Sequence, residues 1–263
     1  MKKHCNILVI DDEQVIIDSI RKIASLEDLT VEAAMLGKDA FYKISQTDFD
    51  LIICDIMLPE MDGFQIQNEL LRRNVDSPVI MTTGYSTIEN AVKSLYLGAI
   101  DFIPKPFTID EMIAIINRGM RYSKLLQSKR NETNNVLLVP CPARYFRLGY
   151  SCWMNTELDG SVFIGATDFF IKTVEPIRQI ELMNNGEILT QASACAKFKN
   201  DDELNYQLYS VLSGNIIERN EKVIKQPELL EKDPYFDGWL YRIIPTELDY
   251  ETKNLIPCSS DRL

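Results

Sequence analysis

The sequence predicts two folds in series. The first is α/β, a doubly wound five-stranded parallel sheet over residues 1–125; the second is mostly β, over residues 136–263, with a linker at 126–135. Three observations carry this. Up to residue 125, short apolar runs alternate with segments of three- and four-residue apolar spacing, the pattern of parallel βαβ units. The stretch 123–135, SKLLQSKRNETNN, then turns polar and loses its period, as the end of a helix followed by a linker does. Beyond it, short runs are punctuated by Asp159-Gly160, Asn185-Gly186, Ser213-Gly214 and Asp237-Gly238, the turn signals of β structure.

The predicted strands of the first unit are Ile7–Ile10, Val31–Met35, Leu51–Cys54, Val79–Met81 and Ala99–Ile103. They are apolar on both faces, as strands are when helices cover a sheet from both sides. Between them, Val15-Ile16-Ser19-Ile20-Ile23, Ala40-Phe41-Ile44, Phe64-Ile66-Leu70-Leu71 and Ile88-Ala91-Val92-Leu95 fall at helical spacing. A last helix runs through Met112, Ile113, Ile116 and Met120. In the second unit, Ser161–Ile164, Ile177–Leu182 and Ile216–Glu218 read as strands in hairpins.

Composition narrows the function. Hydrophobic residues at 46% and charged residues at 25% are the balance of a globular chain, not a disordered one. The net charge is −11, which argues against nucleic-acid binding, since phosphate contacts need a basic face. His4 is the single histidine, so His-rich zinc sites are excluded. The six cysteines form no C-x-x-C pair, residues 1–6 lead into only a four-residue apolar run, and no stretch approaches a membrane span. The expectation is a cytoplasmic protein with reduced thiols that neither enters a membrane nor binds nucleic acid.

Sites in doubly wound sheets lie at the carboxyl ends of the strands. Asp11, Asp12 and Glu13 follow the first predicted strand and Asp55 follows the third, so carboxylates converge on one crevice. Like charges that close repel unless a cation sits among them, and hard oxygen donors favour Mg²⁺. Taken alone, Asp-Asp-Glu serves equally well as a cap for the following helix. Thr82 and Thr83 end the fourth strand and Lys105-Pro106 follows the fifth. A hydroxyl and an ammonium at the same edge make a receptor for a phosphoryl group. Period-2 alternation lets only one of the two threonines face the crevice, and a cis bond before Pro106 would aim the lysine inward.

ILVIDDE (7–13), LIICDIMLPEMDGFQI (51–66), PVIMTTGYST (78–87) and GAIDFIPKPF (98–107), in this order and spacing, resemble the receiver domain of bacterial two-component response regulators. The resemblance implies that Asp55 is the phosphoacceptor. It implies that Asp12 binds Mg²⁺ directly, Asp11 directly or through water, and that the backbone carbonyl of Met57 completes the protein ligands together with Asp55. Thr83 would sense the phosphoryl oxygen, Lys105 would pair with it, and Phe102 would be the switch aromatic. The resemblance also implies that the receiver would catalyse its own phosphorylation and dephosphorylation, and no dedicated catalytic output is expected. The phosphodonor would be a sensor histidine kinase. Family receivers often pair through the face of the fourth and fifth helices, here around Leu95–Leu97 and Ile100–Phe102, so a homodimer is implied by analogy.

The second half has no G-x-x-x-x-G-K-[ST] run and no basic recognition helix, with 15 Lys+Arg against 20 Asp+Glu from Leu125 onward. Gly165-Ala-Thr-Asp-Phe, Ser213-Gly-Asn-Ile, Asn220, Pro227-Glu-Leu-Leu and Asp233-Pro-Tyr-Phe-Asp-Gly-Trp-Leu resemble the H protein of the glycine cleavage system, over about 150–247. That family has a lipoyl-domain-like barrel-sandwich fold and carries lipoate on a lysine at a hairpin tip. Its E-S-x-K-A motif is not preserved in the longer hairpin at about 194–206, Val211 replaces the usual proline, and Ser151 stands where H proteins commonly have His. Lys197 and Lys199 are the lysines a lipoyl group would have to use, and the expectation is that it uses neither. Trp153, Phe169, Phe170 and Trp239 read as core. The acidic 200–203 tip is either a recognition loop or a solvated one. The leading reading is therefore a response regulator whose H-like domain binds a protein partner. The alternative is a phosphorylation-regulated lipoyl carrier, and a third reading is an unusual transcription factor.

Overall fold

The structure is a computed structural model and describes residues 3–130 and 138–260. These fall into two compact units: residues 3–87 with 97–130, and residues 138–260 with 88–96. No described helix is long and apolar enough to cross a membrane.

In chain order the first part runs β1 (Lys3–Ile10), α1 (Gln14–Ser25), β2 (Val31–Ala34), α2 (Gly37–Gln46), β3 (Thr47–Asp55), α3 (Gly63–Arg72), β4 (Val79–Thr83), α4 (Ile88–Tyr96), β5 (Asp101–Pro104) and α5 (Ile109–Arg130). The expected sheet is present: five strands, all parallel, in the order β2-β1-β3-β4-β5. Ile7, Leu8, Val9 and Ile10 on β1 and Leu51 and Ile52 on β3 are wholly buried, which is why these runs carry no polar alternation.

Strand ends differ from expectation by up to four residues: β1 starts at Lys3, β2 ends at Ala34, β3 spans Thr47–Asp55 and β4 ends at Thr83; two further differences concern β5 and α5. Ala99 and Ile100 are buried but precede β5, which begins at Asp101. That aspartate sits inside an apolar run because Arg118 of α5 is ion-paired with it and also donates to Ile100 O at 2.9 Å. Helix α5 continues to Arg130, so 126–130 of the expected linker are helical; 131–135 lie outside the described residues.

Two local features fix the loop after β3. Asp62 and Gln65 form a capping box at the start of α3: Asp62 accepts from Gln65 N at 2.7 Å, and the Gln65 side chain accepts from Asp62 N at 3.0 Å. Gly63 then permits a close approach of backbones. A Cβ there would stand 2.3 Å from Asp55 O and 2.9 Å from Ile56 Cα, so no side chain fits.

The second unit contains β6 (Phe146–Leu148), β7 (Cys152–Thr156), β8 (Val162–Ala166), α6 (Asp168–Val174), β9 (Ile177–Leu182), β10 (Ile188–Leu189), β11 (Ala194–Asn200), β12 (Asn205–Tyr209), β13 (Gly214–Arg219), α7 (Glu221–Lys225), α8 (Glu228–Lys232), β14 (Trp239–Pro245), α9 (Leu248–Glu251) and β15 (Ile256–Pro257). Seven strands form one sheet in the order β10-β13-β14-β8-β7-β6-β15, and β12-β11-β9 form another. All their pairings are antiparallel. Tyr241 ties the two sheets together: its hydroxyl on β14 donates to Cys195 O on β11 at 2.6 Å and accepts from Met183 N, just past β9, at 2.8 Å.

Only some of the expected hairpins are hairpins. Asp159-Gly160 joins β7 to β8 as read, but β9 pairs with β11, and β13 pairs with β10 and β14. Alternation in a sequence marks a strand but not its partner.

Trp153 and Phe170 are core, as expected; Phe169 and Trp239 are half-buried. Trp153 Nε1 donates to Ala166 O at 2.9 Å and to Pro234 O at 3.1 Å, and Tyr145 and Tyr235 pack beside the ring. Gly165 makes room for it: a Cβ there would lie 2.6 Å from the indole.

Candidate functional site

Because β1, β3, β4 and β5 are parallel neighbours, their carboxyl ends share one edge, and the sequence places a polar residue at or just past each. Asp11 follows β1, Asp55 ends β3, Thr83 ends β4 and Lys105 follows β5. The lysine is the centre of the arrangement. Its Nζ lies 2.8 Å from Asp11 Oδ2, 2.8 Å from Asp55 Oδ2 and 3.2 Å from Glu13 Oε1. The remaining carboxylate oxygens bond locally: Asp11 Oδ1 accepts from Glu13 N at 2.9 Å and Asp55 Oδ1 from Met57 N at 3.2 Å. The Lys105-Pro106 bond is cis.

Asp11, Asp12 and Asp55 each place an oxygen within 4.8 Å of the others; Asp12 is exposed and the other two are buried. Burial is the largest influence on Asp11 and holds its carboxyl above the usual 3.8, although the hydrogen bond from Lys105 pulls the other way. For Lys105, burial works against the charged form, but its hydrogen bonds to Asp11 and Asp55 more than reverse this and hold its pKa above the ordinary value. One ammonium against this many carboxylates leaves the crevice short of positive charge. The donors are all hard oxygens, so the residues present fit a Mg²⁺ ion.

Thr83 is wholly buried; its Oγ1 accepts from Tyr85 N at 3.1 Å, and its carbonyl accepts from Lys105 N at 2.8 Å. The Thr82 hydroxyl is buried without a hydrogen-bond partner among the described residues. Phe102 is buried on β5, opposite Met81 of β4. Met57, named for its carbonyl, exposes its side chain. Glu13 was visible in the sequence only as part of an acidic run; its reach to Lys105 crosses from β1 to β5 and has no local signal. The Asp101–Arg118 pair was missed for the same reason.

Asp11's raised pKa has a measurable consequence. The folded protein holds this proton at pH values where the unfolded chain has released it. Its stabilising contribution is therefore full below 3.8 and is lost as pH rises through the raised folded value. Calorimetry in chelator should show Asp11→Asn gaining in Tm over the parent as pH rises through that window, and saturating Mg²⁺ should close the gap.

In the second unit, Lys197 and Lys199 both lie within β11, opposite Gln207 and Asn205 of β12, and not at the tip of the hairpin. Lys197 is exposed, and Lys199 is ion-paired with Glu203. The tip holds Asp201, Asp202, Glu203 and Leu204 and contains no lysine. It is closed by Asn200, whose Oδ1 accepts from Asp202 N at 3.0 Å and Leu204 N at 3.3 Å, while Arg178 of β9 pairs with Asp201. Ser151 is buried.

Comparison with known proteins agrees with both halves. Residues 7–117 match the family described as response regulator receiver domain, and residues 144–260 match glycine cleavage H-protein. The chain carries a response regulator receiver domain followed by an H-protein-like domain. Among curated relatives, Response regulator MprA of Mycobacterium ulcerans is 33% identical over 119 residues, 45% of this chain and 51% of that protein. Regulatory protein AtoC of Escherichia coli K12 is 33% identical over 134 residues, 49% of this chain and 27% of that protein. The chain thus spans about half the length of the first of these relatives and a smaller share of the second. Among solved structures, a CheY-like receiver domain protein from Methanospirillum hungatei is 31% identical, with a TM-score of 0.44, covering 48% of this chain and 99% of that one. A glycine cleavage system H protein from Mycobacterium marinum is 23% identical, with a TM-score of 0.37, covering 43% of this chain and 98% of that one.

Proposed function

We propose that the chain is a cytoplasmic two-component response regulator. It accepts a phosphoryl group on Asp55 from the phosphohistidine of a separate sensor kinase and uses a non-lipoylated H-like domain to bind a protein partner. The observation that carries this is Lys105 Nζ held 2.8 Å from both Asp55 and Asp11 within a cluster of three carboxylates. An Asp55 oxygen attacks phosphorus in line. The P–O bond forms as the P–N bond breaks, and the imidazole leaves to the kinase. Lys105 turns from carboxylate to phosphoryl oxygen and offsets the charge that gathers there. Asp11, Asp12, Asp55 and the Met57 carbonyl would hold a Mg²⁺ ion, which when bound would supply the rest of the neutralisation. Thr83 then follows the phosphoryl oxygen, and Phe102 on the next strand follows Thr83, which shifts the population of the surface around β5 and α5. His4, the single histidine of this sequence, lies near the start of β1, away from the carboxyl ends of the strands, and pairs with Asp50 at 3.0 Å, so it is not the donor to Asp55.

The output half binds rather than carries because its hairpin tip is built from acidic residues and its two candidate lysines lie within a strand. The acidic balance of this half speaks against a nucleic-acid partner. Intact-mass measurement of the full chain tests both halves together. Acetyl phosphate with Mg²⁺ should add one phosphoryl group, chelator should prevent it, and coexpression with a lipoate ligase should add nothing. A lipoyl adduct on Lys197, the exposed lysine of the hairpin, would establish the carrier reading instead.

A further inference from the structure

Glu13 occupies the N-cap of α1 with extended backbone, φ −92° and ψ 106°, where Asp, Asn, Ser or Thr ordinarily accepts from first-turn amides. It makes no such bond. Its carboxylate reaches across the sheet edge to Lys105 instead, at 3.2 Å. An ammonium has three N–H donors, and Lys105 faces three carboxylates of unequal depth. The side chains of Asp11 and Asp55 are 1% and 4% exposed, and that of Glu13 is 55% exposed. The two deep ones also belong to the cluster that fits a cation, and Glu13 does not. A divalent ion entering the crevice therefore takes both inner partners of the lysine and leaves the outer one.

Building on the receiver reading, we propose that Glu13 is a positioning residue: it holds Lys105 at the mouth of the crevice once a divalent cation occupies Asp11 and Asp55. Without it, the ammonium competes with the cation for the same two carboxylates or returns to water. With it, the lysine stays beside the crevice, its other donors free for an incoming phosphoryl oxygen.

The test is Mg²⁺ binding to the full chain by isothermal titration calorimetry, with no phosphodonor present. Glu13→Gln and Glu13→Asp should each weaken Mg²⁺ about fivefold, the size of a partly exposed ion pair. Asp keeps the charge but is one methylene too short to keep the contact. In a Lys105→Gln background, Glu13→Gln should change the affinity by less than about twofold, because the two residues act as one unit. Wild-type affinity in Glu13→Asp would overturn the proposal, since charge alone would then suffice; so would an equal Glu13→Gln effect with and without Lys105. The Glu13→Asp result stands by itself if Lys105→Gln does not fold. Absence of Mg²⁺ binding in the unaltered protein would overturn the receiver reading, whereas binding that both Glu13 variants leave unchanged overturns this proposal alone.

Discussion

Asp55→Asn should leave the chain unlabelled by acetyl phosphate under conditions in which the parent takes up one phosphoryl group. The amide is nearly isosteric with the carboxylate, so the crevice keeps its shape and Lys105 keeps Asp11 and Glu13 as partners. What disappears is the nucleophile, and covalent capture has no substitute for it. Labelling should fall at least about a hundredfold, to background on a phosphate-affinity gel. Unchanged stoichiometry in the variant would sink the assignment of Asp55. Melting should be run beside it, because loss of label in a folded variant is the informative result.

Trp153→Ala should cost the second unit about 3–5 kcal/mol, the usual range for removing a buried indole. The ring is 1% exposed, its N–H serves two carbonyls, and Gly165 lacks a side chain where the ring lies. Alanine leaves a cavity between Tyr145 and Tyr235 and removes the donor shared by Ala166 O and Pro234 O. Trp153→Phe should cost less, because part of the volume returns while the donor does not; about 1–3 kcal/mol is the price of the orphaned carbonyls. Denaturant melts of the three proteins followed by far-UV circular dichroism would rank them. A Trp153→Ala protein as stable as the parent would show that the ring is not a core element.

Much of the first unit was legible because its strands are buried on both faces and its helices are not. Ile7–Ile10 and Leu51–Cys54 announce themselves without alternation, and the polar residues at their ends mark the functional edge. Ala99 and Ile100 extend the apolar run and are packed inside, but β5 begins two residues after Ala99, at Asp101. Asp101 carries no signal of its own within the 99–103 run, because its partner, Arg118, stands 17 positions away on α5. Glu13 shows in the sequence only as part of an acidic run, since its partner, Lys105, stands just past β5, 92 positions away. In the second unit the strands at 161–164, 177–182 and 216–218 are legible as β8, β9 and β13, but the other strands, the short helices and the pairings are not. Asn185-Gly186 and Asp237-Gly238 mark turns, but Ser213-Gly214 does not, since Gly214 opens β13; the β9–β11 and β13–β14 pairings depend on contacts between distant segments.

The absent side chain at Gly63 divides the receiver sheet into a fixed part and a movable one. With α3 seated directly on the carbonyl of Asp55, and Gly63 N bonded to Ile56 O at 2.9 Å, Asp55 and the helix behind it form a single block. If Asp55 takes a phosphoryl group as proposed, that block leaves no room for recoil toward α3. The displacement would then be taken up at the ends of β4 and β5, where Thr83 is held through its hydroxyl by a loop amide and Phe102 lies opposite Met81. The proposed acceptor would act as an anvil, with the signal leaving through the strands on its far side.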